Sequence, residues 1–186
     1  MRRPRILIVP VGKAVGPWLE RLMGQLAEAF IAQIELAKPI PYPLPAFNPA
    51  RKRFFAHLII DYLREVAGNV DFVVGLTDVE LYSVHCNSVI CETHFQARSA
   101  VISVGRLRDF LFGEKPEEVF YQRLYKEILR ALGHMMGLPP CSNPHCVMYP
   151  SLSLYETDLK SSSFCPECLL KLRLRVGPLP FLRESG

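Results

Sequence analysis

The residues best suited to chemistry in this 186-residue chain are four cysteines near its C-terminal end. Cys141 and Cys146 have four residues between them, Cys165 and Cys168 have two, and eighteen separate the pairs. Two knuckles of this kind bring four thiolates to about 2.3 Å from one zinc in a tetrahedral arrangement that leaves no open position. Such a site is structural. Metal binding free energy becomes folding free energy for a segment too short to own a core. Two disulfides are the alternative, but knuckle spacing in a chain that reads as unsecreted favours zinc.

A second constellation lies just upstream, in "EILRALGHMMGLPPC". Arg123, Glu127, Arg130 and His134 recur at spacings of four, three and four, so they share one face of a helix. Tyr121, Leu124, Ile128, Leu132 and Met135 form the opposing apolar stripe and are expected to face the core. The simplest account of the polar stripe is a solvated face with Arg123 to Glu127 and Glu127 to Arg130 ion pairs, worth a few tenths of a kcal/mol each, roughly. A lone His134 on that face is no ligand set. A Glu127, His134 and His145 set is conceivable, with Arg130 between its helical members. Cys86 and Cys91, flanked by His85 and His94, are a further pair. In an extended segment His85 and Cys91 lie about 20 Å apart, so they share no metal without a bulge or turn. They and His57 read as ordinary buried or loop residues.

The elements that must position these groups alternate, which predicts an α/β fold. "ILIVPV" (6 to 11) reads as a buried strand, Pro17 to Ile31 as an amphipathic helix and "QIELAKPI" as a second strand. Pro39, Pro41, Pro43 and Pro45 make a rigid connection. Asn48-Pro49 fits an N-cap with proline at the first helical position, opening a helix through "ARKRFFAHLIIDYLREV". "VDFVVGLT" is a strand, and 87 to 95 and 99 to 104 are further strands, the first at a sheet edge. A helix is predicted from Pro116 to Met136, ended by Gly137. The alternation of "KLRLR" (171 to 175) suggests a half-buried strand with basic residues outward.

Composition sets the remaining bounds. With 49% hydrophobic and 22% charged residues the chain suits one compact domain with a small appended subdomain. "MRRPR" before "ILIVPVG" imitates a signal peptide, but the apolar run is minimal and no small-residue cleavage site follows. A cytoplasmic location is the expectation. No stretch approaches the roughly eighteen apolar residues of a membrane span. A formal charge of +4, spread among acids, announces no nucleic acid. A zinc ribbon contacting nucleic acid through "KLRLR" remains an alternative.

The run "EILRALGHMMGLPPCSNPHCVM" followed by "FCPEC" resembles the archaemetzincin family of metzincin-type zinc peptidases. That family's pattern is H-E-x-x-H-x-x-G-x-x-H-C-x4-C-x-M and then C-x-x-C. "FNPARKRF", "GLTDVELY" and "VISVGRLR" extend the likeness over nearly the whole chain. The resemblance implies a metzincin-like mixed twisted sheet with helices, in which an active-site-type helix precedes a four-cysteine zinc subdomain. Residues 1–137 would be the N-terminal α/β part. Residues 138–186 would hold the Met-turn, with Met148 as its methionine, and the knuckles on Cys141, Cys146, Cys165 and Cys168.

Departures from that pattern fall where the chemistry should be. By the resemblance, His134 matches the second histidine ligand and Gly137 the turn glycine. Arg130 replaces the first histidine, Ala131 the glutamate base and Pro140 the third histidine. Arginine stays protonated and has no lone pair to give a metal, so Arg130 is a fixed positive charge where the cation would sit. The expectation is one structural zinc, no catalytic zinc, and a vestigial cleft that binds a peptide or protein without cutting it. A working peptidase with an unusual metal site is the alternative. The oligomeric state is not legible.

Overall fold

The computed structural model describes residues 2–108, 116–151 and 153–176. Its frame is a five-stranded sheet in the order β2-β1-β5-β8-β7, formed by β1 (Arg5–Val11), β2 (Gln33–Leu36), β5 (Phe72–Thr77), β7 (Cys91–His94) and β8 (Ser99–Ser103). The first four in that order run parallel, and β7 closes one edge antiparallel to β8. Every residue of β5 and β8 is buried. That explains why "FVVGLT" lacks polar alternation: a parallel strand covered on both faces has no solvent side.

Helices supply the cover. α1 (Trp18–Ala29) and α3 (Pro116–Met135) pack on the face that carries Ile6, Ile8, Val74, Leu76, Ala100 and Ile102. Trp18 meets Phe120 edge to face at 5.5 Å and ties the two helices together. α2 (Ala56–Ala67) covers the opposite face through Ile59, Ile60 and Leu63, against Val9, Val11, Val73 and Val101. The chain beyond α3 shares the first core, through Leu138, Cys146, Val147, Met148, Phe164 and Leu172.

Three expectations are corrected. Asn48-Pro49 does not start a helix. Residues 47–48 (β3) and 53–55 (β4) pair as an antiparallel hairpin, which β6 (Leu81–Tyr82) extends to a small second sheet, and the helix opens only at Ala56. Asn48 Oδ1 accepts the Arg51 N–H at 3.1 Å, so the residue closes a turn. Phe54, buried against Phe47 and Tyr42, draws the segment into the hairpin. Only 91–94 of the stretch 87–95 joins the main sheet, while Val89 makes an isolated bridge to Leu81. Third, "KLRLR" is helical, within α5 (Pro166–Val176). Cys168 and Leu172, one turn apart, bury one side of it, and a Lys171 to Glu167 ion pair supports the exposed side. Period 3.6 anchored by a cysteine overrides an apparent period of two.

The helix that matters most behaves as read at its ends. Pro116 sits at the first position, Glu117 and Glu118 lie in the first turn, and Gly137 at φ +90° follows the last turn. Gly137 N–H donates to His134 O and Leu138 N–H to Gly133 O, both at 2.9 Å, a complete Schellman motif. The turn leaves the Leu138 carbonyl close to the helix, where a side chain of α3 uses it.

Candidate metal centre and cleft

The four cysteines converge as their spacing requires. Their sulfurs all lie within 4.8 Å of one another, and no other group of this kind occurs among the described residues. Cys141 Sγ stands 3.8 Å from Cys165 Sγ. Four sulfurs about 2.3 Å from one ion define a tetrahedron with edges of about 3.8 Å, so the set fits a tetrahedral thiolate-bound ion. All six cysteines of the chain are unbridged. Backbone N–H groups of Met148 and Cys165 point at Cys146 Sγ, at 3.5 and 3.3 Å, as donors stabilising a thiolate would. The loop itself is held by Cys141 N–H to Met148 O and Cys146 N–H to Asn143 O.

On α3 the polar face is not solvated. Arg123, Lys126 and Glu127 are buried, because α4 (Leu154–Leu159) and the residue after it pack across them. Arg123 does not pair with Glu127. Its Nε and Nη2 grip both oxygens of Asp158, at 2.7 and 2.6 Å. Lys126 donates to the carbonyls of Thr157 and Asp158, both at 3.0 Å. Glu127 takes two partners instead: Arg130, with Nε at 3.0 Å and Nη2 at 2.8 Å from Oε2, and the buried Lys160, with Nζ at 2.9 Å from Oε1. Burial would raise the Glu127 carboxyl above its usual range, but the charges of Arg130 and Lys160 outweigh it and hold it below. Burial lowers Lys160 despite Glu127. Burial also opposes the charge on Arg130, and Glu127 more than restores it.

His134 completes the arrangement. Its Nδ1 lies 2.9 Å from the Leu138 carbonyl and its Nε2 lies 3.4 Å from Arg130 Nη1. A carbonyl only accepts, so Nδ1 carries the proton and Nε2 keeps a lone pair. Burial first, and Arg130 next, lower the pKa of His134 and keep it neutral. This is the tautomer a metal ligand needs. The donor that meets the lone pair is a guanidinium.

The other expected positions fall around this centre. Ala131 is fully buried in the core and Pro140 is exposed after the glycine turn. Met148 is fully buried beneath α3, where a Cβ on Gly133 would collide with its Sδ. His145 is not brought to Glu127 and His134: its backbone is tied to Asn143 and Ser161, and Glu127 is engaged by cations on both oxygens. Cys91 on β7 faces the α3 side, and burial pushes its thiol up to about 11. Glu92 and His94 point to the other side, where the rings of His94 and His57 stand 5.0 Å apart. Lys160 and Asp158 escaped sequence reading. The available signal was "SLYE" at 153–156, a capping box that the structure realises with Ser153 and Glu156.

A mixed sheet covered by a long helix, whose glycine turn leads directly into a four-cysteine centre, is the metzincin-like arrangement that the sequence resemblance implies. The sequence model of peptidase family M54 matches residues 44–174. An archaemetzincin of Methanocaldococcus jannaschii is 36% identical over 172 residues, covering 92% of this chain and 94% of that protein. One of Thermococcus kodakarensis is 32% identical, covering 90% and 94%. The crystal structure of archaemetzincin from Methanopyrus kandleri superposes with a TM-score of 0.80 at 30% identity, over 94% of this chain and 96% of that one. That from Archaeoglobus fulgidus, complexed with malonate, gives 0.77 at 29%, over 90% and 99%. The chain belongs to peptidase family M54, the archaemetzincins. Among the described residues no helix is long and apolar enough to cross a membrane.

Proposed function

We propose that this protein is an archaemetzincin homologue that holds one structural zinc on Cys141, Cys146, Cys165 and Cys168, binds no catalytic zinc, and uses its cleft to bind a peptide or protein segment without hydrolysing it. The observation that carries the reading is Arg130 Nη1 on the lone pair of His134 Nε2. A permanently charged guanidinium, fixed by Glu127, stands where a metal-bound group would have to be. Repulsion and the missing ligands act together against a divalent ion: one imidazole remains, Ala131 offers no proton acceptor and Pro140 no side-chain donor atom.

Hydrolysis by a zinc peptidase needs a metal-polarised carbonyl and a base for the attacking water. Here the residues at those positions do other work. Arg130 and Glu127 neutralise each other in part, His134 anchors Arg130 and the glycine turn, and Met148 fills the space under Gly133. Peptide binding is supported by β7, the last strand of its sheet, whose outer backbone edge, near Arg130, pairs with no strand among the described residues. The unbridged cysteines of the zinc centre go with a reducing, cytoplasmic setting.

The test is elemental analysis of purified protein with a hydrolysis assay on a diverse peptide library. One zinc per chain after dialysis against a mild chelator, and no cleavage above background, are expected. Two tightly held metals, or chelator-sensitive cleavage abolished by His134→Gln, would overturn the reading.

A further inference from the structure

Arg130 is short of partners. A guanidinium carries five N–H bonds in a planar fork. Nε and Nη2 each give one hydrogen to Glu127, and Nη1 reaches His134. Among the described residues, one hydrogen on Nη1 and one on Nη2 have no protein acceptor. Nη1 and Nη2 together form the end of the fork away from Nε.

Its charge is also incompletely balanced. Glu127 is the ion-pair partner of both Arg130 and Lys160, so two cations share one carboxylate. His134 and Cys91, the other titratable groups against Arg130, are neutral. Glu92, on the opposite face of β7, also favours the charge on Arg130 from a distance but forms no ion pair with it among the described residues. Within the triad, exposure is confined to the arginine: its side chain is 16% accessible, against 2% for Glu127 and 0% for Lys160. Excess charge held out of water is costly without a counter-ion. Paired donors at the end of a guanidinium match the two oxygens of a carboxylate.

We propose that the open end of Arg130 is a carboxylate-binding site, and that the cleft recognises its peptide ligand through a carboxylate, either the chain's C-terminus or an acidic side chain, lying beside β7. The inference rests on the peptide-binding reading above and adds the chemistry of the ligand. In effect the substitution that removes a zinc ligand creates an anion receptor at the same place.

The experiment uses the full zinc-loaded chain. N-acetylglycine, a model of a peptide C-terminus, is titrated while the His134 ring resonances are followed by NMR, with N-acetylglycinamide as the neutral control. In parallel, N-acetylated hexapeptide pools are compared as free acids and as amides, with and without internal Asp and Glu, by capture on immobilised protein and mass spectrometry. The acid probe is expected to give a saturable shift and the amide none. Arg130→Met is expected to abolish the response. Arg130→Lys, which keeps a charge beside Glu127, is expected to weaken it by about tenfold or more because the fork is lost. Retention by the amidated pool only when Asp or Glu is present would assign the carboxylate to a side chain, and retention of free-acid pools alone to the C-terminus. Equal binding of acid and amide pools lacking Asp and Glu, with no N-acetylglycine response, would overturn the carboxylate site and leave peptide binding standing. A response to N-acetylglycine with no pool retained would uphold the carboxylate site and overturn the peptide reading. Silence from every probe would overturn both.

Discussion

Glu127→Gln is the sharpest test of the charge arrangement on α3. Glutamine keeps the volume and one acceptor oxygen but removes the carboxylate that Arg130 and Lys160 share. Leaving a buried charge unpaired costs about 3–5 kcal/mol, a large share of the roughly 5–15 kcal/mol that holds a domain folded. At about 2–4 °C per kcal/mol for a domain of this size, the midpoint of thermal unfolding should fall by about 6–20 °C. Lys160 sets the lower end of that range. Burial already lowers its pKa, so without Glu127 it can shed its proton, whereas Arg130 cannot. The sign of the pH dependence follows. In the variant the folded state releases the Lys160 proton before the unfolded state does, so the unfolded state binds more protons and stability rises with pH toward about 10.4. The assay is urea unfolding of zinc-loaded parent and variant at several pH values. Adding Lys160→Met should recover part of the loss, because it removes one unpaired cation and leaves apolar volume. A loss below about 1 kcal/mol, or a double variant no more stable than Glu127→Gln, would refute the claim that Glu127 neutralises buried cations.

Other outcomes can be checked with the same material. Cys165→Ser should lose the bound zinc and expose the chain after α3 to proteolysis, since structural zinc contributes on the order of 10 kcal/mol to folding; retention of one zinc at full stability would contradict the ligand set. His134 has a lowered pKa, so the unfolded state takes up its proton first, and stability should fall as pH drops below about 6.5. His134→Gln should lack that component, measured by thermal unfolding across the same range. Arg130→His with Ala131→Glu and Pro140→His should bind a second zinc by elemental analysis, while Arg130→His alone should not; a folded triple variant with no additional ion would contradict the motif alignment.

Much of the frame was legible because it depends on short-range chemistry. β1, β5 and β8 announce themselves as apolar runs, and Pro116 and Gly137 punctuate α3 at the two positions where proline and glycine cost least. The four cysteines are legible for the same reason: knuckle spacing is a local constraint. What failed was local evidence that tertiary contacts override. Asn48-Pro49 serves a turn or a helix start equally well, and only the burial of Phe54 decides for the hairpin. "KLRLR" alternates over five residues, yet the face of α5 is chosen by Cys168. The polar stripe on α3 read as solvated because its cover is Asp158 and Lys160, which lie 35 and 33 residues away from the side chains they pair with.

Lys160 also changes what the missing histidines mean. Counted along the sequence, Arg130, Ala131 and Pro140 are three departures from the family's pattern, two at ligand positions and one at the base. Counted in space, Arg130 and Lys160 bring two positive charges to one carboxylate, the same charge one zinc ion would bring. His134 meets it with the tautomer a metal would need, held by the Leu138 carbonyl that the glycine turn presents. On the proposed reading, two monovalent cations take the place of a divalent ion, one inaccessible and one partly exposed. Zinc binds a substrate oxygen and activates water against it; a guanidinium binds an oxyanion and has no proton to lose near neutral pH. On the proposed reading the cleft would still recognise an oxygen-bearing group, now an oxyanion, without the metal chemistry that follows recognition in a zinc peptidase.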